Sequence, residues 1–211
     1  MILIGQYDSP FVRRVAIAMR RYGMTYEHRP WSVFADAEKI AAYNPLRRVP
    51  TLVMDDGEVL VESWAILDAL DAMVDPERAL LPRAGAVRRD GLRVTALATG
   101  FADKSVSLYL ETLLRSAPSE RWIARCESQM GDALDVLEAD RGRRTSSWWL
   151  GPELTHADIA VGCALCQVRE AHPRFFDASR WPKLAAHARQ ADALEEFRAI
   201  YQPFDVPLSR S

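Results

Sequence analysis

Between Pro76 and Pro82 the chain changes character, and that break limits the folds open to it more than any other feature of the sequence. Before it, short strand-like runs alternate with helical ones; after it, every apolar run recurs at helical spacing. Residues 2–4 form a brief apolar strand and residues 26–29 a second. Between them Val12, Val15, Ala16 and Met19 repeat at helical intervals up to Gly23, a helix stop. Residues 35–43 read as a weak helix that ends before Asn44-Pro45, because the residue preceding proline is pushed out of the helical region. After Val49-Pro50, two apolar runs over 51–54 and 59–61 flank Asp55-Asp56-Gly57, a hairpin signature. Ser63 then opens a helix with Ile66, Leu67, Leu70, Met73 and Val74 on one face, closed by Asp75-Pro76.

Past the break, residues 87–114 carry Val94, Leu97, Ala98, Phe101 and Leu108 on a helical stripe that Ala117-Pro118-Ser119 interrupts. A second long helix turns Trp122, Ile123, Cys126, Met130, Leu134 and Leu137 inward and stops at Gly142. Helices over 155–171, from Pro182, and over 193–200 complete the series. The expected architecture is a small α/β domain over residues 1–78 followed by an all-α domain over 87–211.

Composition narrows what such a chain does. It has 211 residues, 49% hydrophobic and 27% charged, which excludes disorder and a disulfide-stapled mini-protein. With 27 basic and 29 acidic residues, net charge −2, it is not a basic nucleic-acid module. Cys126, Cys163 and Cys166 give no disulfide framework, the N-terminus lacks the basic stretch of a signal peptide, and no apolar run approaches the ~18 residues of a membrane span. These features predict a cytoplasmic protein with no membrane or nucleic-acid partner. His28, His156, His172 and His187 are scattered without ligand spacing, so no metal is expected.

Three short motifs before the break carry chemistry, each beside a purely structural reading. Ser9-Pro10 pairs a good N-cap residue with proline at the first helical position, a helix start on local grounds alone. The same hydroxyl stands where helix amides and the positive dipole end converge, a setting that favours thiolate over thiol. Lowering a thiol pKa of ~8.5 by one or two units requires about 1.4 to 2.7 kcal/mol. A charge-assisted hydrogen bond of roughly 1.5 to 3 kcal/mol, with a dipole contribution of about 0.3 to 1, is large enough. Val49-Pro50 is either an ordinary strand-edge proline or a cis proline, and in the second case the Val49 backbone turns outward to pair with an extended tripeptide. Glu62-Ser63 reads either as a helix cap or as a site for an α-amino acid end, amides and hydroxyl taking the carboxylate and Glu62 the ammonium.

Two further motifs read as structure. Thr155 with Asp158 forms a capping box, and Leu154 with Ile159 stands at the hydrophobic-staple spacing, so Asp158 belongs to a helix start rather than an active site. Cys163 and Cys166 match C-x-x-C but lie well inside a helix among Ile159, Val161, Leu165 and Val168, where a buried, inert pair is expected.

Taken together, four segments resemble the cytosolic glutathione S-transferase family: the stretch from Ser9 to Val15, that from Asn44 to Leu52, the triplet Val61-Glu62-Ser63, and that from Trp149 to Asp158. The chain is similar in particular to bacterial members with an active-site serine, the YibF-like group. The resemblance spans essentially the whole chain and implies a glutathione transferase fold, with a thioredoxin-like glutathione-binding domain over 1–78 and a helical domain over 87–211 that contributes the hydrophobic substrate site. It implies that Ser9 hydrogen-bonds the glutathione sulfur, that Val49 ahead of cis-Pro50 pairs with the cysteinyl backbone, and that Glu62 and Ser63 hold the γ-glutamyl end. Where many members have Gly-Lys or Gly-Gln, this chain has Arg47-Arg48. Arg48 joins the glutathione-binding set, with Arg47 as the alternative partner of the glycine carboxylate. Tyr7 ranks second to Ser9 as thiol activator, because it precedes the helix start. Tyr7, Phe11, Trp31, Phe101 and Tyr109 are candidates for the second substrate's wall, each with core packing as the other reading. The implied activity is conjugation of the glutathione thiolate to a small hydrophobic electrophile, a detoxification reaction, by a homodimer contacting near the long helix from Val87. A glutathione-dependent disulfide reductase or peroxidase, and a non-catalytic binding protein, are the alternatives on the same fold.

Overall fold

A computed structural model describes residues 1–204 and divides them into two compact units, Met1–Pro82 with residues 194–204, and Arg83–Ala193. The first unit runs β1 (Ile2–Ile4), α1 (Pro10–Tyr22), β2 (Glu27–Arg29), α2 (Ala37–Ala41), β3 (Thr51–Val53), β4 (Val59–Val61) and α3 (Ser63–Ala72). The second holds α4 (Gly85–Leu114), α5 (Glu120–Gly142), α6 (His156–Ala171) and α7 (Pro182–Asp192). The last helix, α8 (Glu195–Ala199), groups with the first unit.

The sheet has the order β2-β1-β3-β4, with β1 parallel to β2 and antiparallel to β3, and β3 antiparallel to β4. Leu3 pairs with His28 on one side and Leu52 on the other, so the short central strand is hydrogen-bonded along both edges. Helix α1 buries Val12, Val15, Ala16 and Met19 and packs against α3, which buries Ile66, Leu67 and Leu70 and also contacts β4. Gly23 ends α1 in the left-handed conformation at φ 70°, its N–H donating to the Arg20 carbonyl at 3.0 Å, a geometry a side chain would strain. In the helical unit α4 packs on α5 and α6 around Val94, Ala98, Phe101, Met130, Leu134, Leu137, Ile159 and Leu165.

The expected element order is present, and the departures have local causes. The helix expected over 35–43 shrinks to five residues, Ala37–Ala41, since Asp36 at its start makes no side-chain cap bond. Met73, placed on the inner face of α3, is 52% exposed because it sits one residue past the helix end. Trp122 is exposed rather than inward; it lies in the first turn of α5, with the Lys104 ammonium 5.7 Å from the centre of its ring. The largest difference is the final stretch, read as part of the second domain. Arg13, buried on α1, donates from Nε to the Ile200 carbonyl at 2.8 Å and from Nη2 to the Phe197 carbonyl at 2.9 Å, which holds it on the first unit.

At the start of α6 the buried Asp158 accepts from the Thr155 N–H at 2.9 Å, the Thr155 hydroxyl at 2.6 Å and the Trp149 N–H at 2.7 Å. That is the capping-box role expected of it, with a loop tied in as well. Cys163 and Cys166 are buried and unlinked within α6.

Candidate functional site

Three chain segments of the first unit converge, and specific contacts lock them to each other. At the end of β1, Gly5 has φ 128°, and a methyl group there would stand 2.5 Å from Val12 Cγ2 and 2.8 Å from Val49 Cβ. Only a residue without a side chain lets the strand end, α1 and the Val49 loop close on one another. A second contact joins Arg48 Nη1 to Glu62 Oε1 at 3.3 Å, and a third joins Arg14 Nη1 to Ser63 Oγ at 3.4 Å. The start of α1, the loop before β3 and the start of α3 therefore form one constellation.

Ser9 caps α1 with φ −67° and ψ 121°, and Pro10 follows at the first helical position. The Val12 N–H reaches Ser9 Oγ at 3.4 Å, a long bond that occupies one lone pair. Among the described residues the hydroxyl proton goes to no protein acceptor, so it is available to a sulfur anion at the positive end of the helix. Tyr7 is arranged differently. Its ring stacks on His28 with centres 3.9 Å apart, and its hydroxyl is 2.9 Å from that of Tyr26. Burial, and then the bond to Tyr26, push the Tyr7 phenol well above the ordinary tyrosine range, so it stays neutral with its oxygen engaged by another phenol.

The Val49-Pro50 bond is cis. The peptide ahead of it is held by Asn44, 1% exposed, whose amide donates to the Arg48 carbonyl at 2.9 Å and to Thr51 Oγ1 at 3.1 Å. Thr51 Oγ1 in turn donates to the same carbonyl at 3.2 Å. The Val49 side chain packs against the buried cluster of Ile4, Ile40 and Val53. Among the described residues, neither the N–H nor the C=O of Val49 makes a hydrogen bond within the protein. Unpaired main-chain groups beside a sheet strand are what an added peptide strand uses.

Glu62 begins α3 with φ 68°, a left-handed conformation uncommon outside glycine and costing on the order of 1 to 3 kcal/mol. Its carboxylate faces the Arg48 guanidinium, and an exposed pair of this kind contributes only about 0 to 1 kcal/mol, so a ligand ammonium can take that place. Ser63 is buried at the α3 N-terminus with the buried Arg14 guanidinium beside it, two attractions for a carboxylate. Adjacent negative and positive subsites match the two charges of an α-amino acid end.

Arg14 and Asn44 are the residues that sequence reasoning missed. The signal for Arg14 is a charged residue between Val12 and Val15 on the buried stripe of α1; Asn44 was legible only as a helix terminator. Arg47, with φ 53°, pairs with Glu38 at 3.1 Å on the surface, while Arg48 points to Glu62, so of the two only Arg48 belongs to the constellation. Phe11 and Trp31 are half-buried in this unit, Trp31 under the Arg29 guanidinium at 5.4 Å and beside Tyr43. Phe101 and Tyr109 lie in the helical unit. At 2% exposed, Phe101 is core and leaves the set of wall candidates, whereas Tyr109 is half-buried with its ring edge-on to His172. No helix among the described residues is long and apolar enough to cross a membrane.

Known proteins resemble this chain in sequence and in fold. Residues 3–78 match the glutathione S-transferase N-terminal domain and residues 120–190 the glutathione S-transferase C-terminal domain. The uncharacterized GST-like protein YibF of Escherichia coli K12 is 32% identical over 167 residues, covering 78% of this chain and 80% of that one. A maleylacetoacetate isomerase of Pseudomonas aeruginosa is 28% identical over 95% of both chains. Among solved structures, a glutathione S-transferase of Methylobacillus flagellatus with glutathione bound superimposes with a TM-score of 0.87 at 26% identity, covering 96% of this chain and 99% of that one.

Proposed function

Since the chain belongs to the glutathione S-transferase family, whose co-substrate is glutathione, we propose that it conjugates the glutathione thiolate to a small hydrophobic electrophile. The observation that carries the reading is the unpaired main chain of Val49, bracketed by the free hydroxyl proton of Ser9 and the opposite charges of Glu62 and Arg14. An extended γ-glutamyl tripeptide fits that order: its ammonium displaces Arg48 from Glu62, its α-carboxylate meets Ser63, the α3 amides and Arg14, and its cysteinyl backbone pairs with Val49. The displaced Arg48 is then at hand for the glycine carboxylate. Ser9 donates to the sulfur and favours the thiolate, which attacks the electrophilic carbon as the leaving group departs or the alkene accepts the charge. Positioning supplies most of the remaining acceleration.

A second reading uses the same thiolate: reversible addition to a conjugated alkene, rotation and elimination, a cis–trans isomerisation. The match to an isomerase over nearly its whole length favours including it. The assembly we propose is a homodimer in solution, and the location cytoplasmic.

The test is calorimetric titration with glutathione, followed by turnover against aryl halides, alkyl halides, conjugated enones and mixed disulfides. Micromolar-to-millimolar binding that weakens at least tenfold in Glu62→Ala and Ser63→Ala, with catalysed loss of one electrophile class, is the expected result. Wild-type affinity in both variants, or rates equal to the uncatalysed ones throughout, would overturn the reading; activity confined to mixed disulfides would replace it with a reductase.

A further inference from the structure

We infer that the segment around α8 is a working part of the thiol site, a clasp in which Gln202 acts as a positioning residue for Ser9. The inference rests on the glutathione reading above and adds to it a group far away in sequence. Gln202 Oε1 accepts the main-chain N–H of Tyr7 at 3.1 Å, two residues before Ser9. Four residues after Ser9, Arg13, 4% exposed, donates to the carbonyls of Phe197 and Ile200, with its guanidinium 5.7 Å from the Phe197 ring centre and 5.4 Å from that of Tyr201. Further along α1, Arg20 pairs with Glu195 and Arg21 with Glu196. The segment thus grips the chain on both sides of the serine.

Other contacts fix the two ends of the Gly5–Ser9 turn and the Tyr7 ring, which stacks on His28. Gly5 is held by the Arg29 carbonyl at its N–H and by His28 at its C=O, and the Ser9 N–H reaches the Gln6 carbonyl at 3.3 Å. In the middle of the turn it is a side chain, that of Gln202, that accepts the Tyr7 main-chain N–H. A partly buried N–H left without its acceptor recruits water or a new partner, and either shifts the turn. Displacement by a fraction of an ångström is enough to weaken the Ser9 hydrogen bond to a thiolate, whose strength depends steeply on distance and angle.

Gln202 is half-buried and stands outside every helix and strand, so its variants report on the turn. Gln202→Leu removes the acceptor and Gln202→Glu retains it. With glutathione saturating, the Leu variant should show a bound-thiol pKa raised by about half a unit to one unit in thiolate ultraviolet absorbance, and kcat at neutral pH lowered roughly three- to tenfold. The KM for glutathione should stay within about twofold, because the subsites of Glu62, Ser63 and Val49 are untouched, and Gln202→Glu should restore both quantities. An unchanged thiol pKa in the Leu variant, whatever its rate, or equal impairment of Leu and Glu variants, would overturn the clasp. Failure of the unmodified protein to bind glutathione would overturn the underlying reading, and the catalytic role of the clasp with it.

Discussion

Replacing Ser9 by alanine removes one hydroxyl whose structural and chemical duties can be separated. The structural duty is small: the cap bond from Val12 is 3.4 Å long, so its loss belongs at the low end of the ~0.5 to 2 kcal/mol range for N-cap substitutions. The chemical duty is larger. A hydrogen bond to a charged sulfur contributes roughly 1.5 to 3 kcal/mol, and at 1.36 kcal/mol per unit its removal raises the bound-thiol pKa by about one to two units. The sign follows directly. The thiolate is the reactive form, so rate rises with pH through the thiol pKa; lifting that pKa moves the whole profile to the alkaline side and leaves the plateau in place. Conjugation in Ser9→Ala should therefore fall about 10- to 100-fold near neutrality and approach the unmodified rate above the displaced midpoint. The assay is kcat against pH at saturating glutathione, paired with thiolate absorbance of the binary complex. A midpoint that stays in place while the plateau drops would refute the argument, since it would mean that Ser9 positions the sulfur without favouring its anion.

Other substitutions test the frame around it. Gly5→Ala should destabilise the protein by about 2 kcal/mol or more in urea unfolding, because the new methyl meets Val12 and Val49 well inside contact distance and the backbone is left-handed; a change under about 0.5 kcal/mol would contradict the packing described. Tyr7→Phe should lose about 0.5 to 1.5 kcal/mol of stability from the Tyr26 bond and leave the thiol pKa where it was; a shift in the pH profile would reinstate Tyr7 as an activator. Asp158→Ala strips three hydrogen-bond donors of a buried acceptor, so its unfolding midpoint should drop by the equivalent of about 3 kcal/mol or more, with glutathione affinity of the folded fraction unchanged by titration calorimetry.

The parts of the fold that could be read from sequence are those governed by neighbours along the chain. Ser9-Pro10 starts a helix, Gly23 stops one, Asp55-Asp56-Gly57 turns a hairpin and Thr155 with Asp158 caps α6, each through contacts within a few residues. The candidate site is legible for the same reason: Ser9, Val49-Pro50 and Glu62-Ser63 all stand at local start signals. What escaped depends on distance. Arg14 earns its place only because Ser63 lies beside it, and Arg13 and Gln202 only because residues 195–202 return to α1, a pairing that no periodicity encodes. Trp122 and Met73 show the converse, apolar residues at the right spacing but at helix ends, where the stripe runs out of partners.

The unpaired backbone at Val49 bears on how the enzyme lets go. Main-chain pairing is blind to what hangs from the peptide's central residue, and the charged ends bind alike before and after reaction. In the proposed conjugation the bound tripeptide changes at one atom, where an anionic sulfur becomes a neutral thioether. The only contact that weakens is then the one to Ser9, by the difference between a charge-assisted and an ordinary hydrogen bond, on the order of 1 kcal/mol or a little more. Product should leave only several-fold faster than the reactive anion would, so excess conjugate competes with fresh glutathione.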